Sequence, residues 1–348
     1  MVLFLDADSE AKLGKESFHV NIFERFSWGV GFNNIIMIMR GVASAMSTSV
    51  TPASMAVEHR LDAFIQYRPL LLSIAYRMLG SLADAEDMLQ ETFLRWQQSS
   101  AVEIQSPKAF LVTVITRLCI NYLQSARVQR EQYVGEWLPE PMVTAPANDP
   151  SSLPQLDESL SLAFLVLLER LSPVERAVFL LREVFDYEYS EVAKIAGQNE
   201  VNCRQIFRRA RLHIKEMRPR FDASPALKEK LLREFLEASI RGDMNGLLRL
   251  FSSDITVHTD GGGKASALLN PVHGCEQAAR LMVGATRKFK PENAVVTFVQ
   301  VNGQPGLLSC VNGRVETVIT VDVADGQVRN IYILRNPKKL QRVHALAC

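Results

Sequence analysis

The stretch that decides the fold opens at Leu171-Ser172-Pro173-Val174-Glu175 and closes with NEVNCRQIFRRARLHIKEM (199–217). Its first residues start a helix. Ser172 takes the N-cap, Pro173 the first helical position, and Glu175 stands three after the cap, the spacing of a capping box. A short helix then covers Tyr189–Ala196 and stops at Gly197, and another begins after Asn199. Two short helices divided by a glycine-containing turn are the pattern of a helix-turn-helix. On the second, Arg204, Arg208, Arg211 and Lys215 fall within about 40° of Arg204 on a helical wheel. Cys203, Ile206, Ala210, Ile214 and Met217 occupy a different arc and face a core. A basic face opposite an apolar one suits the phosphate-lined major groove. Glu200, Asn202, Arg204 and Gln205 are candidates to read base edges, and Arg208, Arg209, Arg211 and Lys215 to hold phosphates. A merely solvated basic helix is the alternative, and the preceding short helix and turn argue against it.

The rest of the chain sets this segment in context. At 348 residues, two or three domains are expected. With 47% hydrophobic and 22% charged residues the composition is globular, and the net charge of +1 averages over segments of opposite sign. The five cysteines (Cys119, Cys203, Cys275, Cys310, Cys348) show no CxxC and no histidine at ligand spacing. Neither a zinc site nor a disulfide framework is expected, and a reducing cytoplasm is the default. Gly29 to Met46 is fairly apolar, but Asn33, Asn34 and Arg40 interrupt it, and Asp6, Asp8 and Glu10 replace a positive leader region. The apolar run is too short to span a bilayer. Residues 1–54 therefore read as a poorly ordered extension, with Met46 or Met55 as alternative starts, and no membrane role is expected.

From Val57 to about Arg130 the pattern is helical. Gly80 stops the first run, Ser81 caps a second helix over Leu82 to Gln98, and Pro107 opens a third through Phe110, Val114, Leu118 and Tyr122. The second helix exposes Asp84, Glu86, Asp87, Gln90 and Glu91. Residues 135–158 hold five prolines and acidic residues without a lysine or arginine, and read as an extended linker rather than a packed element. Helices resume from Leu160 to about Arg220. After Ser224-Pro225 another amphipathic helix runs from Lys228 to Arg241 and ends at Gly242. Strands follow at Val295–Val301, Leu307–Val311, Arg314–Val323 and Val328–Leu334, joined by the hairpin pairs Asn302-Gly303, Asn312-Gly313 and Asp325-Gly326. The expected architecture is multidomain: two all-α modules, the second a helix-turn-helix, followed by an α+β domain.

Two blocks of this sequence resemble the extracytoplasmic-function sigma factors of bacterial RNA polymerase. Ser73-Ile74-Ala75-Tyr76-Arg77-Met78-Leu79-Gly80-Ser81, followed by Ala83 to Phe93, is similar to sigma region two, and Leu171 through Glu216 to region four. The resemblance implies that Asp84, Glu86, Asp87, Gln90, Glu91, Arg95 and Trp96 dock on the clamp helices of the polymerase's largest subunit, with the flap region as a further contact. It implies that Ser99 to Ser106 and the next helix grip an unstacked base of the −10 element. Lys108, Arg117, Asn121, Tyr122, Arg127 and Arg130 then supply charge and stacking for single-stranded DNA. Region four reads the −35 duplex. On this reading residues 55–130 are region two, 131–157 the acidic linker, 158–220 region four and 225–348 a third domain.

That third domain resembles a SnoaL-like α+β cone, an extension carried by one subfamily of these sigma factors. Three short motifs mark the subfamily. This sequence has Trp137-Leu138-Pro139-Glu140-Pro141, Asp260-Gly261-Gly262-Gly263-Lys264 and Asn336-Pro337-Lys338-Lys339. The family usually has Asp where Lys338 stands, and that departure speaks against a carboxylate role there. A domain tethered directly behind the DNA-reading module has a high effective concentration for its own chain. It is therefore expected to regulate in the chain by clasping Trp137–Pro141 of the linker or region two, in place of a separate anti-sigma factor. No cofactor, metal or catalytic role is expected, although a cone leaves room for a small-molecule ligand. The competing reading is a DNA-binding regulator fused to a ligand-binding or isomerase-like cone, with His258, Asp260 and Tyr332 as acid–base candidates. An isomerase site needs a buried carboxylate base and paired donors for an oxyanion. Asp260, beside three glycines, reads instead as part of a turn that approaches another backbone.

Overall fold

The structure, a computed structural model, describes residues 52–99, 104–131, 133–144, 160–217, 223–288 and 293–343. The extension expected over residues 1–54 lies outside them except for 52–54, and so does the acidic half of the linker, 145–157. The first helix, α1 (Pro52–Leu79), starts before the expected Val57. The chain divides within it, after Ala63, and the elements that follow lie in the unit Phe64–Cys348.

Gly80 ends α1 in the left-handed conformation, φ +65°. Helix α2 (Leu82–Gln98) begins where Ser81 Oγ accepts from the Asp84 amide at 3.2 Å. Helix α3 (Pro107–Glu131) opens on its proline. The three helices seal Phe64, Leu71, Met78, Leu89, Phe93, Leu111 and Ile115 from solvent, with Phe64 and Phe93 edge to face at 4.8 Å. Each such side chain contributes about 1.5–3 kcal/mol of burial.

The second helical module comprises α4 (Leu162–Leu168), α5 (Pro173–Phe179), α6 (Tyr189–Ala196) and α7 (Glu200–Met217). The capping box forms: Ser172 Oγ accepts from the Glu175 amide at 3.4 Å and the Glu175 carboxylate from the Ser172 amide at 3.1 Å. Beyond Phe179 the helix widens into a π turn, Leu180–Val184, which apolar periodicity does not foretell. Gly197, at φ +66°, closes α6. On α7, Cys203, Ile206, Ala210 and Ile214 are buried while Arg204, Arg208, Arg209 and Arg211 are exposed, as the spacing predicts.

The α+β domain follows: α8 (Pro225–Arg241), α9 (Met244–Leu250), β2 (Phe251–Asp260), β3 (Val272–His273), α10 (Cys275–Lys288), β4 (Ala294–Val301), β5 (Gln304–Val311), β6 (Arg314–Ala324), β7 (Gln327–Leu334) and α11 (Pro337–Leu340). Helix α8 starts a turn before the expected Lys228, because Ser224 caps it and Pro225 fits its first position. All three hairpin pairs take positive φ at both residues. With β1 (Val143–Thr144) the strands form one mixed sheet, β1-β4-β5-β6-β7-β2-β3, in which β2 and β7 are parallel and the other pairs antiparallel. Strand β2 escapes the sequence reading because a parallel partner needs no hairpin to mark it.

One sheet face, with Leu307, Val321, Val323 and Ile331, packs on α8, α9 and α10. The other face, with Val299, Leu308, Val318 and Tyr332, is covered by parts of the chain outside the domain's own helix layer: Leu138 and Val143, Leu162 and Ala163 of α4, and Leu340 and Val343. The start of the linker is therefore a packed element, contrary to expectation. Val143 pairs with Val301 and Thr144 with Gln300, so β1 satisfies its backbone at the sheet edge. Pro139 and Pro141 lie before the ladder, where no amide is needed. Cys119 and Cys203 are free and buried, whereas Cys310 is disulfide-bonded, a departure from the reduced state expected of all five. Among the described residues no helix is long and apolar enough to cross a membrane.

Candidate functional site

On α7 the candidate DNA-reading side chains are already partly organised. Asn199 Oδ1 caps the helix by accepting from the Asn202 amide at 2.8 Å, and Asn202 Nδ2 donates to Gln198 at 2.8 Å. Arg204 pairs with Glu200 at 3.1 Å, and its guanidinium lies 4.5 Å from the Tyr189 ring centroid. Arg182 covers the same ring at 5.1 Å. Gln205, Arg208, Arg209 and Arg211 point to solvent along one side of the helix. Lys215 lies on the same helix, but its side chain is outside the described residues, as are those of Arg127 and Arg130 on α3.

The other −10 candidates separate. Asn121 is exposed and Tyr122 half-buried. Lys108 and Arg117 turn toward the helix-turn-helix module. Lys108 Nζ is 5.4 Å from the Tyr187 ring centroid, and Arg117 donates to the Ile195 carbonyl from Nε (3.0 Å) and the Lys194 carbonyl from Nη2 (2.7 Å).

Helix α2 presents Asp84, Glu86, Asp87, Gln90 and Glu91 outside the core, and Arg95 bonds Glu91 at 2.8 Å. Burial, then the neighbouring Asp84 and Glu86 carboxylates, push the Asp87 pKa up. Trp96 belongs elsewhere. It is 4% exposed and packs on Phe110 at 5.5 Å, so its ring joins α2 to α3 instead of facing outward.

The three motifs meet at Asp260. This carboxylate, at the end of β2, is fully buried. Oδ1 accepts from the Tyr133 hydroxyl (2.6 Å) and the Gly262 amide (3.0 Å). Oδ2 accepts from the Leu138 amide (3.0 Å) and the Lys339 ammonium (2.7 Å). Lys339 also donates to the Leu138 carbonyl and sits 4.0 Å from the Trp137 ring centroid. Asn336 Nδ2 donates to the Tyr133 hydroxyl at 2.7 Å, while Oδ1 accepts from the Lys338 amide at the start of α11, whose first residue is Pro337. Burial, then the Asp260 carboxylate, push the Tyr133 hydroxyl far up. Gly262 is left-handed, φ +59°, and a Cβ there would overlap the Asn336 amide. Gly261 and Gly263 share the turn, and the Lys264 side chain is exposed.

A second node joins the linker to the polymerase-facing helix. Glu140 Oε2 accepts from the Leu82 amide (2.8 Å) and the Ala83 amide (3.3 Å), which places a buried carboxylate at the N-terminus of α2. The Tyr76 hydroxyl donates to the Glu140 carbonyl (2.6 Å) and accepts from Asn302 Nδ2 (2.7 Å). Asn302 in turn exchanges bonds with Met142, from its amide (2.7 Å) and to its Oδ1 (3.0 Å). Arg342 pairs with Glu86 at 2.8 Å and approaches Glu140 at 3.9 Å. Tyr133, Glu140, Asn302, Lys339 and Arg342 were not assigned these contacts from sequence. Lys339 and Glu140 stood inside the quoted motifs and Asn302 in a hairpin turn, while Tyr133 and Arg342 carried no signal.

The acid–base trio does share one wall. His258 stacks on Tyr332 at 5.0 Å between centroids, two residues from Asp260 on the same strand. Its Nδ1 is 2.8 Å from Glu136, however, and Asp260 is surrounded by four donors of the chain itself. The wall is a docking face already filled.

Two helical modules, the second with an exposed basic recognition helix, and an α+β domain clasping the segment between them define a transcription-initiation factor. The Sigma-70 region 2 model matches residues 63–128 and the Sigma-70, region 4 model residues 161–214. The chain belongs to the extracytoplasmic-function (ECF) RNA polymerase sigma factors. It is 34% identical over 287 residues to the ECF RNA polymerase sigma factor SigJ of Mycobacterium tuberculosis, spanning 79% of this chain and 91% of that relative. The probable ECF RNA polymerase sigma factor SigI of the same organism is 31% identical, over 80% of this chain and 94% of its own. The crystal structure of M. tuberculosis SigJ superposes with a TM-score of 0.67 at 32% identity, covering 81% of this chain and 98% of that one. As a sigma factor the chain acts in transcription initiation, with core RNA polymerase and promoter DNA as its partners.

Proposed function

We propose that the α+β domain is a built-in regulator that controls how region two and region four meet polymerase and promoter. In this reading residues 55–130 form region two, 131–157 the linker, 158–220 region four and 225–348 the regulator. Glu200, Asn202, Arg204 and Gln205 read the −35 duplex, and Arg208, Arg209, Arg211 and Lys215 hold its phosphates. Lys108, Arg117, Asn121, Tyr122, Arg127 and Arg130 serve the melted −10 strand. Asp84, Glu86, Asp87, Gln90, Glu91 and Arg95 dock on polymerase. The regulator takes the place of a separate anti-sigma partner.

The observation that carries the regulatory reading is the buried Asp260, whose four hydrogen bonds tie the linker (Tyr133, Leu138) to the chain's last helix (Lys339). Arg342, three residues further, holds Glu86 on the face assigned to polymerase. Tail and polymerase thus compete for one carboxylate. The fused-enzyme alternative loses support because His258 Nδ1 faces Glu136 of the linker, and both Asp260 oxygens are taken by the linker, the glycine turn and the tail. Two truncations test the proposal, one after Arg220 and one removing the last dozen residues. Both are expected to change promoter-directed transcription, and unchanged output from both would overturn in-chain regulation.

A further inference from the structure

The side chain that points farthest from the core on the recognition helix is not a charged one. Val201, the second residue of α7, is 67% exposed, more than any other large apolar side chain among the described residues. At about 100° per residue, the buried Cys203, Ile206, Ala210 and Ile214 centre about 180° away from it. On one side of Val201 lie Arg208 at about 20° and Arg204 at about 60°, and on the other Gln205 at about 40° and Arg209 at about 80°, all four exposed. Val201 is thus the middle of the polar face. A solitary exposed valine needs no explanation on an ordinary surface. Here it stands in the first turn of a recognition helix, whose N-terminal residues are the ones that meet base edges. Helix propensity does not account for it, because a β-branched residue is a poorer helix former than alanine or the polar residues beside it.

Its neighbours in the first turn are turned aside and already engaged. Glu200 holds Arg204 at 3.1 Å and Asn202 Nδ2 donates to Gln198 at 2.8 Å, each residue about 100° from Val201. Leu212, 49% exposed, shares the stripe but stands about 16 Å farther along the axis, past the width of about 12 Å of a major groove. Val201 is therefore the apolar group placed to reach the groove floor. That floor offers one apolar group of its own, the C5 methyl of thymine. The other base edges present donors and acceptors that a valine would desolvate without replacing their hydrogen bonds.

We propose that Val201 is a specificity-determining residue that seats its γ-methyls on a thymine methyl of the promoter duplex. The proposal rests on the assignment of α7 to the −35 element. Phosphates held by the arginines of the same helix set its depth in the groove, and Val201 reads the base at that depth by its methyl rather than by a hydrogen bond. The thymine lies next to the base edges within reach of Gln205 and of Arg204, whose guanidinium is held by Glu200 and Tyr189.

The test uses the holoenzyme of core polymerase and the full chain. Duplexes randomised in the upstream element are selected by binding, and each enriched thymine is then replaced singly by deoxyuridine. That exchange removes the methyl and leaves the base pair and its O4 acceptor intact. In direct competition, wild type is expected to lose about fourfold at one thymine, equivalent to ~0.8 kcal/mol for one buried carbon. Val201→Ser should bind the two duplexes equally, while Val201→Ile should keep the wild-type preference. An enriched element with no thymine, no methyl dependence in wild type, or a dependence that survives Val201→Ser would each overturn the proposal and leave α7 as the upstream reader. A pool in which no upstream sequence is enriched would remove that assignment, and the proposal with it.

Discussion

Replacing Asp260 with Asn keeps the shape of the side chain and removes half of what it does. All four partners of the carboxylate are donors: a hydroxyl, two amides and an ammonium. Asn supplies one acceptor oxygen and turns its own NH2 toward two of those donors. Two hydrogen bonds are lost, and Lys339, 11% exposed, loses its ion pair with the Asp260 carboxylate. Removing one partner of a buried ion pair costs about 3–5 kcal/mol. At ~1.4 kcal/mol per factor of ten this is a roughly 150- to 5,000-fold shift toward release of the linker and tail. Hydrogen exchange reads it at the Glu140 and Asn302 amides, because their acceptors, the Gly80 and Met142 carbonyls, are untouched by the substitution. The Leu138 amide is uninformative, having lost its own acceptor. Both reporter amides should exchange faster by that factor, up to the limit set by full opening. Protection within about threefold of wild type would refute the idea that Asp260 holds the linker in place.

Other substitutions probe separate links. Tyr76→Phe removes a hydroxyl that is fully buried between the Glu140 carbonyl and Asn302, and should cost about 2–4 kcal/mol in denaturant unfolding by orphaning both. Gly80→Ala combines a left-handed φ of +65° with a Cβ 2.7 Å from the Trp137 ring, and should lower the melting temperature by several degrees. Burial raises the Asp322 pKa from 3.8 to about 6, against the favourable Asn330 hydrogen bond and the charges of Lys228 and Arg329. Between those values the folded protein holds a proton that the unfolded chain releases, so stability should fall by about 2–3 kcal/mol as pH rises from 4 to 6 and level off above. Asp322→Asn should flatten that slope, to be read from unfolding curves across the range. Arg208→Ala should weaken promoter binding by the polymerase holoenzyme uniformly across sequences, and reduce the slope of log K against log salt by about one.

What the sequence reveals here depends on whether structure is local. The recognition helix is legible because its apolar and basic arcs follow the helical period, and the turn before it because Gly197 is the residue that takes φ +66° readily. The three β-hairpins announce themselves in the same way. Strand β2 and the short β1 are not legible, since each acquires its role from a partner far along the chain. Prolines 139 and 141 suggest a free linker, yet Leu138 between them and Trp137 is sealed against the sheet. Asp260 looks like a turn residue until Tyr133, Leu138 and Lys339 converge on it. Trp96 was placed with the acidic surface of α2 by family resemblance, and helical position alone did not reveal that Phe110 covers it. Arg117 illustrates the same limit. Its exposure is predictable, and its engagement with α6 is not.

The most direct test of in-chain control is promoter-specific transcription by purified core polymerase supplied with the full chain or its Asp260→Asn variant. A discrete transcript that requires the chain, and whose yield changes severalfold when Asp260 is replaced, is the predicted result. Equal yields from the two, with the linker shown to be released in the variant, would contradict regulation by the α+β domain.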